Sequence, residues 1–269
     1  MTDTLAVVGK GGTGKTTFAA LTIKFLRQTG LTPILAIDAD PSANLNLALG
    51  MELGHTVGQI REDTRDRVSG GTFEPGVSKP DWFAYQVERC VVEGDEVDLL
   101  AMGRPEGPGC YCAANHMLRS AIDRLGNSYR YVVIDNEAGM EHISRQTTRD
   151  VDWLFIISDP SQRGLAAAEQ IVALVGALGT RVRRMGLVVN RVAGELPPDF
   201  ARRVEALSVP LLGILPQDPE IARLDAEGRP LVELSEDSGL YLAIAAILRE
   251  CLSIPERVSS QGGSNADHR

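Results

Sequence analysis

Val7-Val8-Gly9-Lys10-Gly11-Gly12-Thr13-Gly14-Lys15-Thr16-Thr17 decides the fold. It contains Gly-x-x-x-x-Gly-Lys-Thr from Gly9 to Thr16, after the apolar run Leu5-Ala6-Val7-Val8 and before a helical pattern of Phe18, Leu21, Ile23 and Leu26. Strand, glycine-rich turn and helix in that order are the setting that makes the pattern a phosphate-binding loop. Glycines let successive backbone N–H groups turn inward toward phosphate oxygens. The N-terminus of the next helix adds partial positive charge. In such a loop Lys15 reaches the β- and γ-phosphates and the Thr16 hydroxyl ligates Mg²⁺. Gly11, Gly12, Thr13, Gly14 and Thr17 complete the expected cradle for ATP or ADP.

Working outward, strands alternate with helical patterns along the chain. Pro33-Ile34-Leu35-Ala36-Ile37 reads as a buried strand ending at Asp38-Ala39-Asp40-Pro41. Further strands are read at 96–103, 131–135, 153–158, 185–189 and 211–216, with long helices at about 162–178 and 238–251. That alternation implies an α/β fold: one mainly parallel twisted sheet with helices on both faces, in a single domain of residues 1–254. Residues 255–269 are polar and Ser/Gly-rich, and read as a disordered tail.

Composition narrows the function. The 269 residues are 43% hydrophobic and 23% charged, ordinary for a soluble globular protein. A net charge of −9 argues against a nucleic-acid surface. No apolar run reaches the ~20 residues of a membrane span. No secretion signal opens the chain, so the expected compartment is the cytoplasm. Four cysteines, two of them in Cys110-Tyr111-Cys112, do not make a disulfide framework. Cys90 and Cys251 read as core residues.

Acids at strand ends are the next signal, because ligands in open α/β sheets gather at the carboxyl ends of the strands. Asp38, Asp40 and Asp135 all close apolar strands. Each suits Mg²⁺ held through water, or orientation of an attacking water. Asp40 also suits a helix N-cap ahead of Pro41, and Asp135 a cap of its own. Asp135-x-x-x-Gly139 fits a switch whose glycine N–H meets the γ-phosphate. Cys110 and Cys112 offer soft thiolates suited to Zn²⁺, Ni²⁺ or copper(I). Two thiolates are too few for a closed site, and a two-fold dimer would supply four.

Lys10 makes the loop unusual, and Lys-Gly-Gly-Thr-Gly-Lys-Thr-Thr resembles the deviant loop of the MinD, ParA and nitrogenase iron protein group. The resemblance implies an ATP-dependent homodimer with Lys10 reaching the partner's nucleotide. It implies that Asp40 positions the attacking water, that Asp38 is an outer-shell Mg²⁺ residue, and that Asn190 reads the adenine edge beside Arg191. Within that group, Gly-Pro-Gly-Cys-Tyr-Cys-Ala-Ala-Asn, ending at Asn115, and Asp135 to His142 are similar to the CooC-type maturation ATPases of carbon monoxide dehydrogenase. That likeness implies Cys110 and Cys112 as ligands of Ni²⁺ or Zn²⁺ bridged between subunits, and a client metalloenzyme. His116, Glu137, Glu141 and His142 stay open between metal contact and solvation, and Asp218 between a base-side role and a helix cap. Two other readings stand beside it. One is a ParA- or MinD-type partitioning or positioning switch, disfavoured by the acidic charge and by a tail unlike a membrane-binding helix. The other is an iron–sulfur carrier resembling the nitrogenase iron protein.

Overall fold

Every residue of Leu5–Val8 is at most 1% exposed. A strand with no solvent face needs a layer on each side, and the side chains divide accordingly: Leu5 and Val7 enter one apolar cluster, Ala6 and Val8 the other. The computed structural model of the chain describes residues 2–71, 76, 78–103, 122–137, 150–177 and 181–255. Cys110, Cys112, His116, Gly139, Glu141, His142, most of the helix read at 113–125 and nearly all of the tail lie outside the described residues.

Among the described residues seven strands form one sheet, all paired in parallel: β1 (Asp3–Gly9), β2 (Ile34–Asp38), β3 (Val97–Ala101), β4 (Tyr131–Asp135), β5 (Asp150–Ser158), β6 (Arg181–Val192) and β7 (Leu211–Pro216). Their order is β3-β2-β4-β1-β5-β6-β7. Helix α1 (Lys15–Gln28), the short α2 (Leu45–Leu49) and the C-terminal α8 (Gly239–Leu252) supply side chains to one cluster. The other cluster holds residues of α3 (Val57–Ser69), α4 (Lys79–Arg89), α5 (Gln162–Ala177) and α6 (Pro198–Glu205). A further helix, α7 (Pro219–Ala226), follows β7. The fold is the single-domain α/β architecture expected from the sequence. The apolar stripe Leu165, Ala168, Ile171 and Val175 of α5 is core, and Cys90 and Cys251 are buried.

Two differences have plain causes. β6 is read from Met185 to Val189 but runs from Arg181, because the exposed Arg181, Arg183 and Arg184 pair onward with β5 and leave only Val182 as an apolar sign of the strand. Helix α6 has no counterpart in the sequence pattern and α7 only its candidate cap Asp218, because each is eight residues long, too short for a clear period.

Register is what positions the site. Val7 pairs with Asp135, and Asp135 in turn with Asp38. The Ala39 N–H donates to the Asp135 carbonyl at 2.9 Å, and the Asn136 N–H to the Val7 carbonyl at 3.1 Å. β2 and β4 therefore end level, two residues short of the end of β1, with their two aspartates beside the start of the glycine-rich loop.

Candidate functional site: a phosphate-binding loop and an adjoining cavity

The loop between β1 and α1 depends on glycine at two points where nothing else fits. A Cβ on Gly9 would lie 2.2 Å from the Ile157 carbonyl oxygen on the neighbouring strand. Gly14 is left-handed at φ 93°, and its Cβ would lie 2.3 Å from Asn190 Nδ2. Gly14 occupies the N-cap of α1 and makes no side-chain cap. The first N–H groups of α1 therefore lack a side-chain acceptor at the N-cap, the arrangement that receives anions.

Inside the loop the Lys10 carbonyl is a hub. It accepts from the Thr13 hydroxyl at 2.9 Å and from Lys15 Nζ at 3.4 Å. Lys15 is only 8% exposed. Burial lowers its pKa, partly offset by the charges of Asp135, Asp40 and Glu137. Lys10 itself is half-buried, and Gly11 and Gly12 are exposed.

The acids divide the work. The Thr16 hydroxyl donates to Asp135 Oδ2 at 2.6 Å. The other oxygen, Oδ1, is buried without a hydrogen-bond partner. Burial pushes the Asp135 carboxyl up to about 7, against the Thr16 hydrogen bond, with the nearby Asp38 charge adding to the rise. Asp38 is fully buried, and its two oxygens accept the backbone N–H groups of Asp40 (3.0 Å) and Leu45 (2.8 Å). Burial raises it to about 6 despite those bonds. Asp38 thus folds the segment after β2 back over the strand end. Asp40 is half-buried, and its Oδ1 accepts the Ser42 N–H at 2.8 Å.

These groups fit a hydrated Mg²⁺. The orphaned Asp135 oxygen and the Thr16 hydroxyl are oxygen donors beside a phosphate loop, and Mg²⁺ takes few protein ligands, keeping water and phosphate for the rest. Among the described residues no group of three or more His, Cys, Asp or Glu gathers as a metal site.

Next to Thr16 and Thr17 opens a cavity of about 700 Å³. Its walls are α2, the ends of β6 and β7, and the α7 region, with Leu47, Asn190, Arg191, Ile221 and Leu231 among the lining residues. That volume suits a nucleoside. Asn190, at the end of β6, donates from Nδ2 to the Thr13 carbonyl at 2.8 Å, and its Oδ1 accepts the Arg191 N–H at 2.8 Å. Asp218 is the N-cap of α7, accepting the Glu220 N–H at 2.8 Å and the Ser238 hydroxyl at 2.6 Å. Sequence reasoning assigned no role to Asn136, whose Nδ2 holds the Val7 carbonyl at 3.0 Å, nor to the cavity residues Asp225 and Arg229. Asn136 lies within the Asp135 to His142 stretch but had no role of its own there, and no local motif marks Asp225 or Arg229.

A glycine loop leading from the central strand into a helix, a buried lysine on it, and a hydroxyl–carboxylate pair at the strand end define a phosphate-binding-loop nucleotide hydrolase. The CobQ/CobB/MinD/ParA nucleotide binding domain matches residues 5–231, and the chain belongs to that family. It is an ATPase of the phosphate-binding-loop class. An uncharacterized ATP-binding protein of Methanocaldococcus jannaschii is 41% identical over 93% of this chain and 98% of its own length. The carbon monoxide dehydrogenase accessory protein CooC of Rhodospirillum rubrum is 32% identical, covering 86% of this chain and 90% of that protein. Among solved structures, MinD of Pyrococcus horikoshii, complexed with Mg-ADP, superposes with a TM-score of 0.67 at 22% identity, over 93% and 96% of the two chains.

Proposed function

We propose that this ATPase couples a nucleotide cycle to the handling of a thiolate-bound metal, nickel by preference, for insertion into a client metalloenzyme of the carbon monoxide dehydrogenase type. The observation that carries the metal half is Cys110-Tyr111-Cys112 in a chain 32% identical to CooC over most of both lengths. The nucleotide half rests on the loop geometry around Lys15, Thr16 and Asp135.

On this reading the loop N–H groups and Lys15 hold the phosphates, and Thr16 and Asp135 hold Mg²⁺, which offsets charge on the β- and γ-oxygens. Asp38 keeps the 40–45 segment in place, so that Asp40 meets the attacking water. Gly139 senses the γ-phosphate. Arg191 walls the base side. Two copies meet with Lys10 of each reaching the nucleotide of the other, and their four thiolates close one metal site of Ni²⁺ or Zn²⁺. Loss of the γ-phosphate loosens that arrangement and frees the cargo.

Equilibrium metal titration, read beside solution mass with ADP and with a non-hydrolysable ATP analogue, tests this. Wild-type protein binds about one metal per dimer, and Cys110→Ser loses it while ATP affinity holds. Full metal affinity in Cys110→Ser would falsify the thiolate site. Strong ATP-dependent binding to DNA or liposomes, with no metal uptake, would instead favour the partitioning or positioning switch.

A further inference from the structure

Leu47 is 67% exposed, more than any other large apolar residue among the described ones. It belongs to α2, a helix of five residues, too short to hold its shape alone. Both ends are fixed from outside. At the start, the Leu45 N–H donates to Asp38 Oδ2 at 2.8 Å. At the end, Gly50 is left-handed at φ 72°, and a Cβ there would lie 2.7 Å from the Pro230 side chain. The chain therefore turns close against the segment that follows α7. Leu45 is fully buried in the core and Ala48 nearly so, which fixes how the helix is rotated about its axis.

That rotation turns one face to the cavity. Asn44, Leu47 and Ala48 all line it, and positions i, i+3 and i+4 share one side of a helix. Thr16 and Thr17 line the same cavity, so it is continuous with the phosphate side. Leu47 is the large apolar group that α2 contributes. Ile221 of α7 and Leu231 of the short 3₁₀ turn Leu231–Glu233 are further apolar lining. A nucleobase has polar edges and two apolar faces. Polar lining residues such as Asn190 and Gln217 can meet an edge. A face takes an apolar contact, and a leucine left open to water gains by being covered.

We propose that Leu47 is a nucleoside-binding residue: it covers the nucleoside from the α2 side, and α2 is pinned at both ends to hold it there. The proposal rests on the reading of this cavity as the nucleotide site and leaves the base edges to Asn190 and its polar neighbours. It also places the acid that closes β2 and the cover of the nucleoside on one continuous segment, from Asp38 to Leu47.

The test is calorimetric titration of the full-length protein with Mg-ADP and, separately, with Mg-pyrophosphate. Leu47→Ala weakens ADP about five- to tenfold, the scale of one apolar side chain withdrawn from a buried contact. It also shrinks the negative heat-capacity change of ADP binding, the mark of apolar burial. Pyrophosphate affinity stays within about twofold, as expected if the phosphates are held elsewhere. Leu47→Met restores apolar bulk and binds ADP within about twofold of wild type. Alanine suits a helix and the side chain removed is exposed, so the fold is spared. Far-UV circular dichroism verifies this, and Leu47→Gln carries the same comparison if the alanine variant does not fold. Unchanged ADP affinity, equal losses of ADP and pyrophosphate, a loss with the heat-capacity change intact, or a methionine variant as weak as alanine overturns the cover. Failure of the wild-type protein to bind either ligand would instead overturn the nucleotide site itself.

Discussion

Asp135 shows how one buried side chain links stability, pH and catalysis. Desolvation holds its carboxyl near 7 and that of Asp38 near 6, both well above the ordinary 3.8. A raised carboxyl favours the protonated fold. Its contribution to stability is complete below about pH 4, the unfolded value, and is lost as pH rises through 6 to 7. The melting temperature of the nucleotide-free protein is therefore expected to fall between about pH 4 and 7, and Mg²⁺ with nucleotide to restore it above that window. Asp135→Asn removes one buried charge while keeping its shape. It should raise the nucleotide-free melting temperature at pH 8 by roughly 4 °C or more and abolish Mg²⁺-dependent hydrolysis. A melting curve with no pH dependence across this window would rule the account out. Lys15→Met should lower ATP turnover by at least about a hundredfold, the scale of one charge-stabilising donor lost, measured by phosphate release.

At the scale of elements, the loop stays in place only while α1 is pinned to the sheet. Phe18 is 1% exposed and meets the Phe155 ring at 5.2 Å between centroids, and Phe155 stacks on Trp153 at 5.7 Å. Leu21, Phe25 and Leu26 continue the same buried face. Phe18→Ala should cost about 3–5 kcal/mol in urea unfolding, through lost burial plus the cavity left behind. It should also weaken ATP binding, since α1 begins at Lys15, the lysine proposed to hold the phosphates. Unchanged stability would mean that α1 is anchored elsewhere. This layer was legible beforehand: the apolar runs at β1, β2, β4 and β7 and the long helix at 162–178 appear where the sequence pattern placed them. The first residues of β6 were not, because Arg181, Arg183 and Arg184 are exposed and their strand state comes from pairing with β5.

At the scale of the whole molecule, the proposed cycle requires two copies. With a non-hydrolysable ATP analogue, sedimentation should show a dimer for the wild-type protein and a monomer for Lys10→Ala. On the proposed reading Lys10 acts on the partner's nucleotide and Lys15 on its own subunit's, so ATP binding by the monomeric variant should stay within about threefold, a cost below 1 kcal/mol. A stable dimer of Lys10→Ala would remove the cross-subunit role. An acidic chain of net charge −9 also predicts no retention on DNA at physiological salt.

The amino-acid sequence by itself determined the class. Glycines at fixed spacing, a lysine and a threonine between a strand and a helix dictate their own local geometry, so the loop and the acids at strand ends could be read without coordinates. The apolar periods did the same for the parallel sheet. Only the tertiary structure decided what those groups touch. That Asp38 folds the next segment through two backbone N–H groups, that one Asp135 oxygen is left without a partner, and that Asn190 holds a loop 177 positions away in sequence all depend on strand order and register. Long-range contacts of that kind leave no trace in local pattern, because the partners become neighbours only when β1 is laid between β4 and β5.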